Sequence, residues 1–176
     1  MKLYLTRHGQ TDWNVRHQVQ GQTDVPLNEK GISQAHELAE ALCGTPLDLA
    51  LVSPLNRARK TCEIVSDRLQ IPYRVCEELT EQNFGIFEGT PTQDPVYQTE
   101  KAKFFVRFPQ GESFLDVAAR IYPFLDHLRE MYPDKGVLVI AHNGICRVIH
   151  SYFSDMTNDE FLNFGLGNCE VRRYEY

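Results

Sequence analysis

A continuous apolar run, Gly136-Val-Leu-Val-Ile-Ala141, stops at the polar group His142-Asn-Gly144 late in the chain. The beginning of the chain repeats this arrangement, because the short segment Lys2–Thr6 (KLYLT) leads directly into Arg7-His-Gly9. Continuous apolar runs are typical of strands buried on both faces, and the carboxyl ends of parallel strands are where ligands bind. We therefore expect two strands whose ends present both histidines and Arg7 to one small anion.

The composition is that of an ordinary globular protein, and we expect the 176 residues to form one domain, 1–176. Hydrophobic residues make up 42% and charged residues 24% of the chain, which are normal proportions. The formal net charge of -6 argues against a nucleic-acid or anionic-membrane partner, because either would need a basic face. A small anionic substrate is still compatible with this charge, since a local cluster of arginines outweighs a modest global excess of acids.

The sequence also predicts the compartment and the state of the cysteines. No segment is as long as a membrane span, and charged residues from Lys2 onward leave no secretory signal, so we expect a cytoplasmic protein. The five cysteines are odd in number, widely spaced and without a CxxC pair. Such a set indicates neither a disulfide framework nor a zinc site, and it fits a reducing compartment.

Strand-like and helix-like segments alternate along the chain. We predict five strands, at Lys2–Thr6, Leu47–Val52, Ile71–Cys76, Gly136–Ala141 and Glu170–Tyr176. Apolar residues at helical spacing predict helices over Asn28–Leu42, from a cap at Ser53-Pro54 through Leu69, over Ser113–Met131, over Asn143–Phe153, and from Thr157 onward. This alternation indicates an α/β fold with a mainly parallel sheet.

The least regular part of the chain is Gly89–Gly111, whose length and composition predict a lid or substrate loop. Beside Phe104 and Phe105 it carries a basic cluster of Lys101, Lys103 and Arg107. We interpret this cluster as a solvated helix with an apolar face. The alternative is that it binds a second anionic group of a substrate under the lid.

A phosphate pocket is the simplest use for the polar residues at the strand ends. Phosphoryl transfer needs positive charge around the moving group and a nucleophile in line with the leaving oxygen. Arg7 and His8 lie at the end of the first strand. Arg57 falls in the first turn of a predicted helix and His142 precedes another helix start, where the backbone adds partial positive charge. Arginine suits this role because its planar fork binds phosphate oxygens in pairs.

A series of short motifs follows in order along the chain. They are Thr6–Thr11 (TRHGQT) with Trp13-Asn14, Gln20-Gly21 with Asp24–Asn28 (DVPLN), Ser53–Ala58 (SPLNRA), Leu79–Gly85 (LTEQNFG), Pro109–Ser113 (PQGES), His142 and Asn168-Cys169. In this order they resemble the motifs of the histidine phosphatase superfamily, which includes cofactor-dependent phosphoglycerate mutase. The resemblance covers essentially the whole chain. It implies a three-layer α/β/α sandwich of the phosphoglycerate mutase type, with one antiparallel strand and Glu170–Tyr176 at the sheet edge.

The resemblance also implies roles for individual residues. His8 would be the nucleophile and would form a phosphohistidine. The phosphoryl oxygens would be held by Arg7, Arg57 and His142. The same pocket would be lined by Asn14, Gln20 and Gly21. Neither a cofactor nor a metal ion is expected, because the arginines supply the positive charge that the reaction needs.

Glu81 is the proton donor that the resemblance implies. It would protonate the leaving alcohol and then accept a proton from the attacking water, which requires a raised pKa and therefore partial burial. Glu88 is the alternative acid, although a structural role suits it better. Asn143 stands where many phosphatases of this group have glycine, and its backbone or side-chain amide could donate to phosphate.

We expect a phosphomonoesterase that hydrolyses a small phosphorylated metabolite through a phosphohistidine. The nearest alternative is a phosphoglycerate-type mutase, but Gly89–Gly111 is much shorter than the corresponding insertion of classical phosphoglycerate mutases, and a short lid favours entry of water. A non-catalytic phosphate-binding module is the third interpretation. The presence of both a nucleophile and an acid argues against it. Alpha-ribazole phosphate, a sugar phosphate and protein phosphohistidine are all compatible substrates.

Overall fold

The computed structural model describes residues 1–176, and a single five-stranded sheet lies at its centre. The strands are β1 (Lys2–Arg7), β2 (Leu49–Val52), β3 (Tyr73–Val75), β4 (Gly136–Ala141) and β5 (Val171–Glu175). Their order across the sheet is β3-β2-β4-β1-β5, with parallel pairing among the first four and β5 antiparallel to β1 at the edge. The predicted mainly parallel sheet and its antiparallel edge strand are confirmed.

Seven helices connect the strands. They are α1 (Asp12–Val15), α2 (Glu29–Ala41), α3 (Asn56–Leu69), α4 (Pro95–Lys101), α5 (Phe114–Met131), α6 (Asn143–Phe153) and α7 (Asn158–Asn163). The predicted N-caps of α2 and α7 are present: Asn28 Oδ1 accepts from Gly31 N at 2.9 Å, and Thr157 forms a capping box with Glu160. None of the helices combines the length and the apolar character that crossing a bilayer requires.

The central strands are buried on both faces. All six residues of β4 are buried, which explains their continuous apolar run. Val137 and Val139 pack into a core with α5 and α6, whereas Leu138 and Ile140 pack on the opposite side with α2 and α3. Helices on both faces of the sheet make the three-layer α/β/α sandwich that was predicted.

Strand register brings the two predicted histidines together. Arg7 is paired with Ala141, so His8 and His142 each follow a paired strand end. The backbone N of His8 donates to the oxygen of Ala141 at 3.1 Å, and the two imidazole centroids are 5.1 Å apart. The histidines therefore lie side by side at the carboxyl edge of the sheet, where parallel sheets bind ligands.

The start of α3 differs from the prediction. The helix begins at Asn56 with Leu55 at the N-cap, so the predicted Ser53-Pro54 start lies before it. Leu55 provides no side-chain cap. Instead Asp24, from the loop that precedes α2, accepts from the backbone N of Asn56 at 3.0 Å and from its Nδ2 at 2.6 Å. Ser53 does not cap the helix: it is fully buried, and its hydroxyl lies 2.7 Å from Nε2 of His142.

Three strands are shorter than predicted, and one of them, β5, lacks only the two end residues of the predicted Glu170–Tyr176. β2 begins at Leu49 instead of Leu47, and β3 covers three residues instead of Ile71–Cys76. Pro72 has no N–H to donate to a ladder, and β3 is an edge strand whose three residues are exposed. The pattern of apolar residues therefore extends beyond the hydrogen-bonded strands.

The segment Gly89–Gly111 is more regular than predicted, because it contains α4. Asp94 caps this helix by accepting from the backbone N of Val96 and of Tyr97, both at 2.9 Å, and Pro95 occupies its first turn. The ring of Tyr97 stacks on that of Phe108 with centroids 5.8 Å apart. Both belong to a buried cluster completed by Val19, Phe84 and Phe87. This aromatic cluster anchors the segment to the rest of the molecule.

Candidate active site

His8 follows β1 and lines a cavity of about 160 Å³. Its side chain is 2% exposed, and Nδ1 lies 2.6 Å from the backbone oxygen of Gly9. Because a carbonyl oxygen only accepts, this bond places the ring proton on Nδ1 and leaves the lone pair of Nε2 unused. Burial, with the guanidinium groups of Arg57 and Arg7, holds the pKa of His8 well below its usual range. His8 is therefore a neutral imidazole.

The backbone after His8 passes close to the start of α2. A Cβ on Gly9 would lie 2.4 Å from the oxygen of Gly31, and a Cβ on Gly31 would lie 2.1 Å from the oxygen of Gln10. Both distances are far below van der Waals contact, so glycine is needed at both positions. The N–H of Gly9 donates to Thr61 Oγ1 at 3.0 Å. These contacts fix the turn that presents His8.

Arg7 gives the same cavity a positive charge. Its Nη1 donates to the oxygen of Leu166 at 3.3 Å, whereas its buried Nε has no partner in the protein. Burial lowers the pKa of Arg7, but a guanidinium stays protonated in proteins. A buried charged donor without an acceptor is costly, so an anion in this cavity would supply the missing partner.

Arg57 and His142 lie beside His8 but are bonded to the protein rather than lining the cavity. The Nε of Arg57 donates to Nδ1 of His142 at 3.2 Å. The two terminal nitrogens of Arg57 donate, at 2.6 and 3.0 Å, to the oxygens of Gly21 and Thr23. Since a guanidinium only donates, Nδ1 of His142 is an acceptor and the ring proton is on Nε2, which lies 2.7 Å from Ser53 Oγ.

His142 is also neutral, because burial and the Arg57 guanidinium hold its pKa well below the usual range. Each terminal nitrogen of Arg57 has two N–H bonds. One donates to a backbone carbonyl, and the second is left to donate to an anion. The structure thus brings together all four residues of the predicted phosphate pocket. Arg7 and His8 line the cavity, whereas Arg57 and His142 lie next to His8 and do not line it.

A crystal grown with phosphate or vanadate should show the anion in contact with Arg7, His8, Arg57 and His142 together. Contact with His142 requires its Nε2–H to exchange the Ser53 hydroxyl for an anion oxygen, so the 2.7 Å bond should lengthen beyond hydrogen-bond range. Refined distances would show this directly. An anion bound by Arg7 and His8 alone, with the bond to Ser53 intact, would assign His142 a positioning role only.

Glu81 places a carboxyl group in the cavity. It is 4% exposed; Oε1 accepts from the backbone N of Gln82 at 2.8 Å and Oε2 from that of Gly144 at 3.1 Å. A Cβ on residue 144 would lie 2.6 Å from Oε1, so the glycine makes room for the acid. Burial raises the pKa of Glu81 despite these two bonds. Glu81 is thus a buried acid on the same cavity as the unprotonated Nε2 of His8.

Glu88, the alternative acid, has a different environment. It does not line the cavity. Its Oε1 accepts from the backbone N of Gln22 at 2.8 Å and of Phe84 at 3.3 Å. Its Oε2 accepts from the backbone N of Thr23 at 2.7 Å and from the Thr23 hydroxyl. Glu88 therefore ties the 21–23 loop to the 81–88 segment, a contact consistent with a structural role.

Two of the predicted pocket residues, Asn14 and Gln20, line the cavity and are hydrogen-bonded to each other. Asn14 Nδ2 donates to Gln20 Oε1 at 3.3 Å, and Thr11 Oγ1 donates to the same oxygen at 2.8 Å. The buried Nε2 of Gln20 has no partner in the protein. Gln20 is thus oriented by its oxygen and keeps an unused amide donor.

Asn143 and Gly21 have contrasting positions. Asn143 lines the cavity, and its Oδ1 accepts from the backbone N of Leu166 at 3.0 Å, which leaves the NH2 group free to donate. Gly21 does not line the cavity; its oxygen accepts from Arg57 instead. A Cβ on Gly21 would lie 2.0 Å from Glu88 Oε1, so close packing of two loops explains this glycine.

The cavity is also lined by residues outside the predicted set, namely Gln18, Thr92, Tyr97, Gln98, Lys101 and Arg147. Helical spacing was a usable signal for part of this group. Arg147 follows Asn143 by four residues on the predicted helix α6, so the two share a helix face, whereas Tyr97 and Lys101 lie on α4, a helix that the sequence did not predict.

The residues of the basic cluster in the predicted lid have different environments in the structure. Lys103 and Arg107 are solvated, as interpreted, but they follow the end of α4 and lie outside any helix, contrary to the predicted helix. They form ion pairs with Glu100 at 2.6 Å and with Asp116 at 2.7 Å. Lys101 differs, because it lines the cavity and its Nζ donates to the oxygen of Leu162 at 3.2 Å. Its position in the last turn of α4, against the end of α7, draws it inward. The apolar neighbours also differ: Phe104 packs on the core, whereas Phe105 is 76% exposed.

A neutral buried histidine, arginines and a buried carboxylic acid around one small cavity are the groups that enzymes of phosphoryl transfer use. No three His, Cys, Asp or Glu side chains are grouped closely enough to share a metal ion. The chain belongs to the histidine phosphatase superfamily (branch 1), whose family model matches residues 3–176. It is an enzyme of the histidine phosphatase family, as the order of its motifs indicated.

Individual relatives agree with this assignment. An uncharacterized phosphatase, PhoE, of Bacillus subtilis is 32% identical over 170 residues, which cover 94% of this chain and 86% of the relative. A probable phosphoglycerate mutase, GpmB, of Yersinia pestis is 29% identical over 183 residues, covering 100% of this chain and 85% of the relative. The solved structure of a mycobacterial glucosyl-3-phosphoglycerate phosphatase with VO3 superimposes with a TM-score of 0.86 at 29% identity, covering 98% of this chain and 90% of that one.

Proposed function

We propose that this chain is a phosphomonoesterase that hydrolyses a small phosphorylated metabolite through a phosphohistidine at His8. The observation that carries the proposal is that neutral His8, the cation Arg7 and the buried acid Glu81 line one cavity. A nucleophile must be unprotonated and an acid must be protonated near neutrality, and burial shifts each pKa in the required direction. Phosphate binding alone would need neither property.

In the first step, Nε2 of His8 attacks phosphorus, and a P–N bond forms as the ester P–O bond breaks. The leaving oxygen takes the proton of Glu81 and departs as a neutral alcohol. His8 carries the positive charge of the phosphorylated ring, because Nδ1 keeps its proton on the bond to Gly9. Negative charge on the phosphoryl oxygens is stabilised by donors from Arg7, Arg57 and His142, with the amides of Asn14, Gln20 and Asn143 beside them.

In the second step, water attacks phosphorus from the side that the alcohol has left. The Glu81 carboxylate accepts a proton from this water, the P–N bond breaks, and inorganic phosphate is released. His8 returns to a neutral ring and Glu81 to a protonated acid, so the cycle is closed. The positive charge that the reaction needs comes from guanidinium groups throughout.

We infer hydrolysis rather than isomerisation from the segment above the cavity. We assign residues 1–176 to one histidine phosphatase domain in which Gly89–Gly111 is the substrate loop. Tyr97, Gln98 and Lys101 of this loop line the cavity, but the loop is short for enclosing a product against water. The relatives PhoE and the glucosyl-3-phosphoglycerate phosphatase support this assignment, whereas the name of GpmB supports the mutase as the second candidate.

Labelling distinguishes these possibilities. Brief incubation with a ³²P-labelled phosphomonoester, followed by quenching in alkali, should leave label on the protein through an acid-labile, alkali-stable bond, as a P–N bond requires. The label should chase into inorganic phosphate, and EDTA should not stop its release. Chase of the label mainly into an isomeric ester would establish the mutase. Measurable binding of phosphate with neither label nor release would establish a binding module.

A further inference from the structure

The segment that joins α7 to β5, Phe164–Asn168, alternates in exposure. The glycines at 165 and 167 are exposed, whereas Phe164, Leu166 and Asn168 are buried or half-buried. Such alternation is typical of an extended chain, whose successive residues point to opposite sides. We call this segment the strap, because its buried side contacts several residues of the cavity.

The backbone of Leu166, in the middle of the strap, binds two residues of the cavity lining. Its oxygen accepts from Nη1 of Arg7 at 3.3 Å, and its N–H donates to Oδ1 of Asn143 at 3.0 Å. Contacts outside the cavity hold the strap in place. The side chain of Leu166 is buried in the core, and the ring of Phe164 stacks on that of His150 with centroids 4.2 Å apart. The strap is therefore fixed by packing that does not depend on what the cavity contains.

Asn168 is the strap residue whose side chain is hydrogen-bonded to cavity residues. Its Nδ2 donates to the backbone oxygen of His8 at 2.8 Å and to Oδ1 of Asn14 at 3.2 Å. Because a carbonyl oxygen only accepts, the bond to His8 identifies this atom as the amide nitrogen, and both of its N–H bonds are used. The backbone N of His8 donates to the oxygen of Ala141 at 3.1 Å. Both backbone polar groups of the proposed nucleophile therefore have a partner.

Asn168 also helps to fix the direction of the Asn14 amide. Oδ1 of Asn14 accepts from Asn168 and from the backbone N of Thr11 at 3.1 Å, so its Nδ2 is directed to Oε1 of Gln20 at 3.3 Å. The oxygen of the Gln20 amide is thereby the bonded atom, and Nε2 keeps its donors. One side chain thus contacts both the backbone of the nucleophile and the first of two linked amides in the cavity lining.

We propose that Asn168 is a positioning residue for phosphoryl transfer, because it holds the backbone of His8 and the amide of Asn14 in fixed relative positions. The inference rests on the proposed function, in which Nε2 of His8 attacks phosphorus while the amides lie beside the phosphoryl oxygens. Attack requires a nucleophile in line with the leaving oxygen, and a displacement of about 1 Å costs about 10²-fold in rate. Asn168 acts through its neighbours, since it does not itself line the cavity.

Asn168→Leu removes both donors but keeps a side chain of similar size. We expect kcat for phosphomonoesters to fall about 10- to 100-fold while KM changes less than about threefold, because the arginines still bind the ground-state phosphate. Asn163→Leu is the matched control: Asn163 is exposed at the end of α7, donates to the oxygen of Asp159 at 2.8 Å and does not reach the cavity. It should keep both constants. An unchanged kcat in Asn168→Leu, a loss confined to KM, or equal losses in both variants would overturn the assignment.

A double-mutant cycle with Asn14→Ala separates positioning from a general loss of stability. Since Asn168 acts in part through Asn14, Asn168→Leu should cost at least about threefold less in kcat when Asn14 is already alanine. Independent losses that multiply would overturn the link. Melting temperatures are measured for each variant. If Asn168→Leu does not fold at the assay temperature, the smaller Asn168→Ala takes its place with the same expected results.

Absence of hydrolysis of any ester by the wild type would count against the proposed function instead, and binding then decides the role of Asn168. Orthovanadate, which adopts the five-coordinate geometry of phosphoryl transfer, would be titrated by calorimetry into the wild type, Asn168→Leu and Asn163→Leu. A dissociation constant raised about tenfold or more in Asn168→Leu alone supports positioning, because a transition-state analogue depends on aligned groups. Equal dissociation constants in all three proteins overturn it.

Discussion

Replacing His8 with alanine should lower phosphate release by about 10⁴-fold or more, because removal of a covalent nucleophile leaves only binding and charge to accelerate the reaction. The substitution should change the fold little, since the one hydrogen bond that the imidazole makes is to Gly9 next to it. Initial rates on several phosphomonoesters would measure the loss. The same variant should take up no label from a labelled ester.

His36→Ala is the matched control, because His36 is exposed on α2 and is not part of the cavity. Its rate should stay within twofold of the wild-type rate, with an unchanged melting temperature in both variants. Retention of more than about 1% of the wild-type rate by His8→Ala, with the fold intact, would exclude a phosphohistidine on His8 and point to direct attack by water.

Most of the fold could be predicted from the sequence because the features that determine its helices and central strands are local. The run Gly136–Ala141 is apolar at every position, and the structure buries every one of its residues between two helical layers. Asn28 and Thr157 are caps whose partners lie three residues away, so a linear pattern predicts them well. The start of α3 could not be predicted in this way. Its cap comes from Asp24, which is distant in sequence and becomes a neighbour only when the chain is folded.

In the candidate site, too, some features follow from local sequence patterns and others depend on contacts between residues that are distant in sequence. Register between β1 and β4 brings His8 and His142 together, as strand ends in a parallel sheet predict. The hydrogen bond from His142 to Ser53 is a different matter, because it depends on the path of the chain before α3 and has no sequence signal. Arg147 shares a helix face with Asn143, but an arginine within a helix is ordinarily solvated, and its burial depends on packing against α5 and α7.

Glu81→Gln should lower kcat/KM for alkyl phosphates by about 10³-fold, because their leaving oxygens are strong bases that must be protonated as they depart. For p-nitrophenyl phosphate the loss should be about tenfold or less, since its leaving group is stable as an anion. The amide loses one of the two acceptor positions that now bind Gln82 and Gly144, so the melting temperature is measured in parallel. Initial rates on both substrate classes give the difference between the two losses.

The pH dependence of alkyl phosphate hydrolysis should report the titration of Glu81, whose proton goes to the leaving oxygen. Because burial raises the pKa of Glu81, the acid stays protonated above the usual range of a carboxyl, and kcat/KM for alkyl phosphates should fall as pH rises through that raised pKa. The falling limb should vanish in Glu81→Gln. Loss of activity on the acid side should begin only well below the usual pKa of histidine, because the pKa of His8 is lowered.

Two further variants test the assignment of this proton. Glu78→Gln, at an exposed position three residues before Glu81, should keep both the rate and the falling limb. Glu88→Gln should lower activity equally on alkyl and aryl phosphates, because Glu88 holds the 21–23 loop and does not reach the cavity. Equal losses on both substrates in Glu81→Gln, with a selective loss in Glu88→Gln, would transfer the role of proton donor to Glu88. The ratio of the two losses therefore decides between the acids.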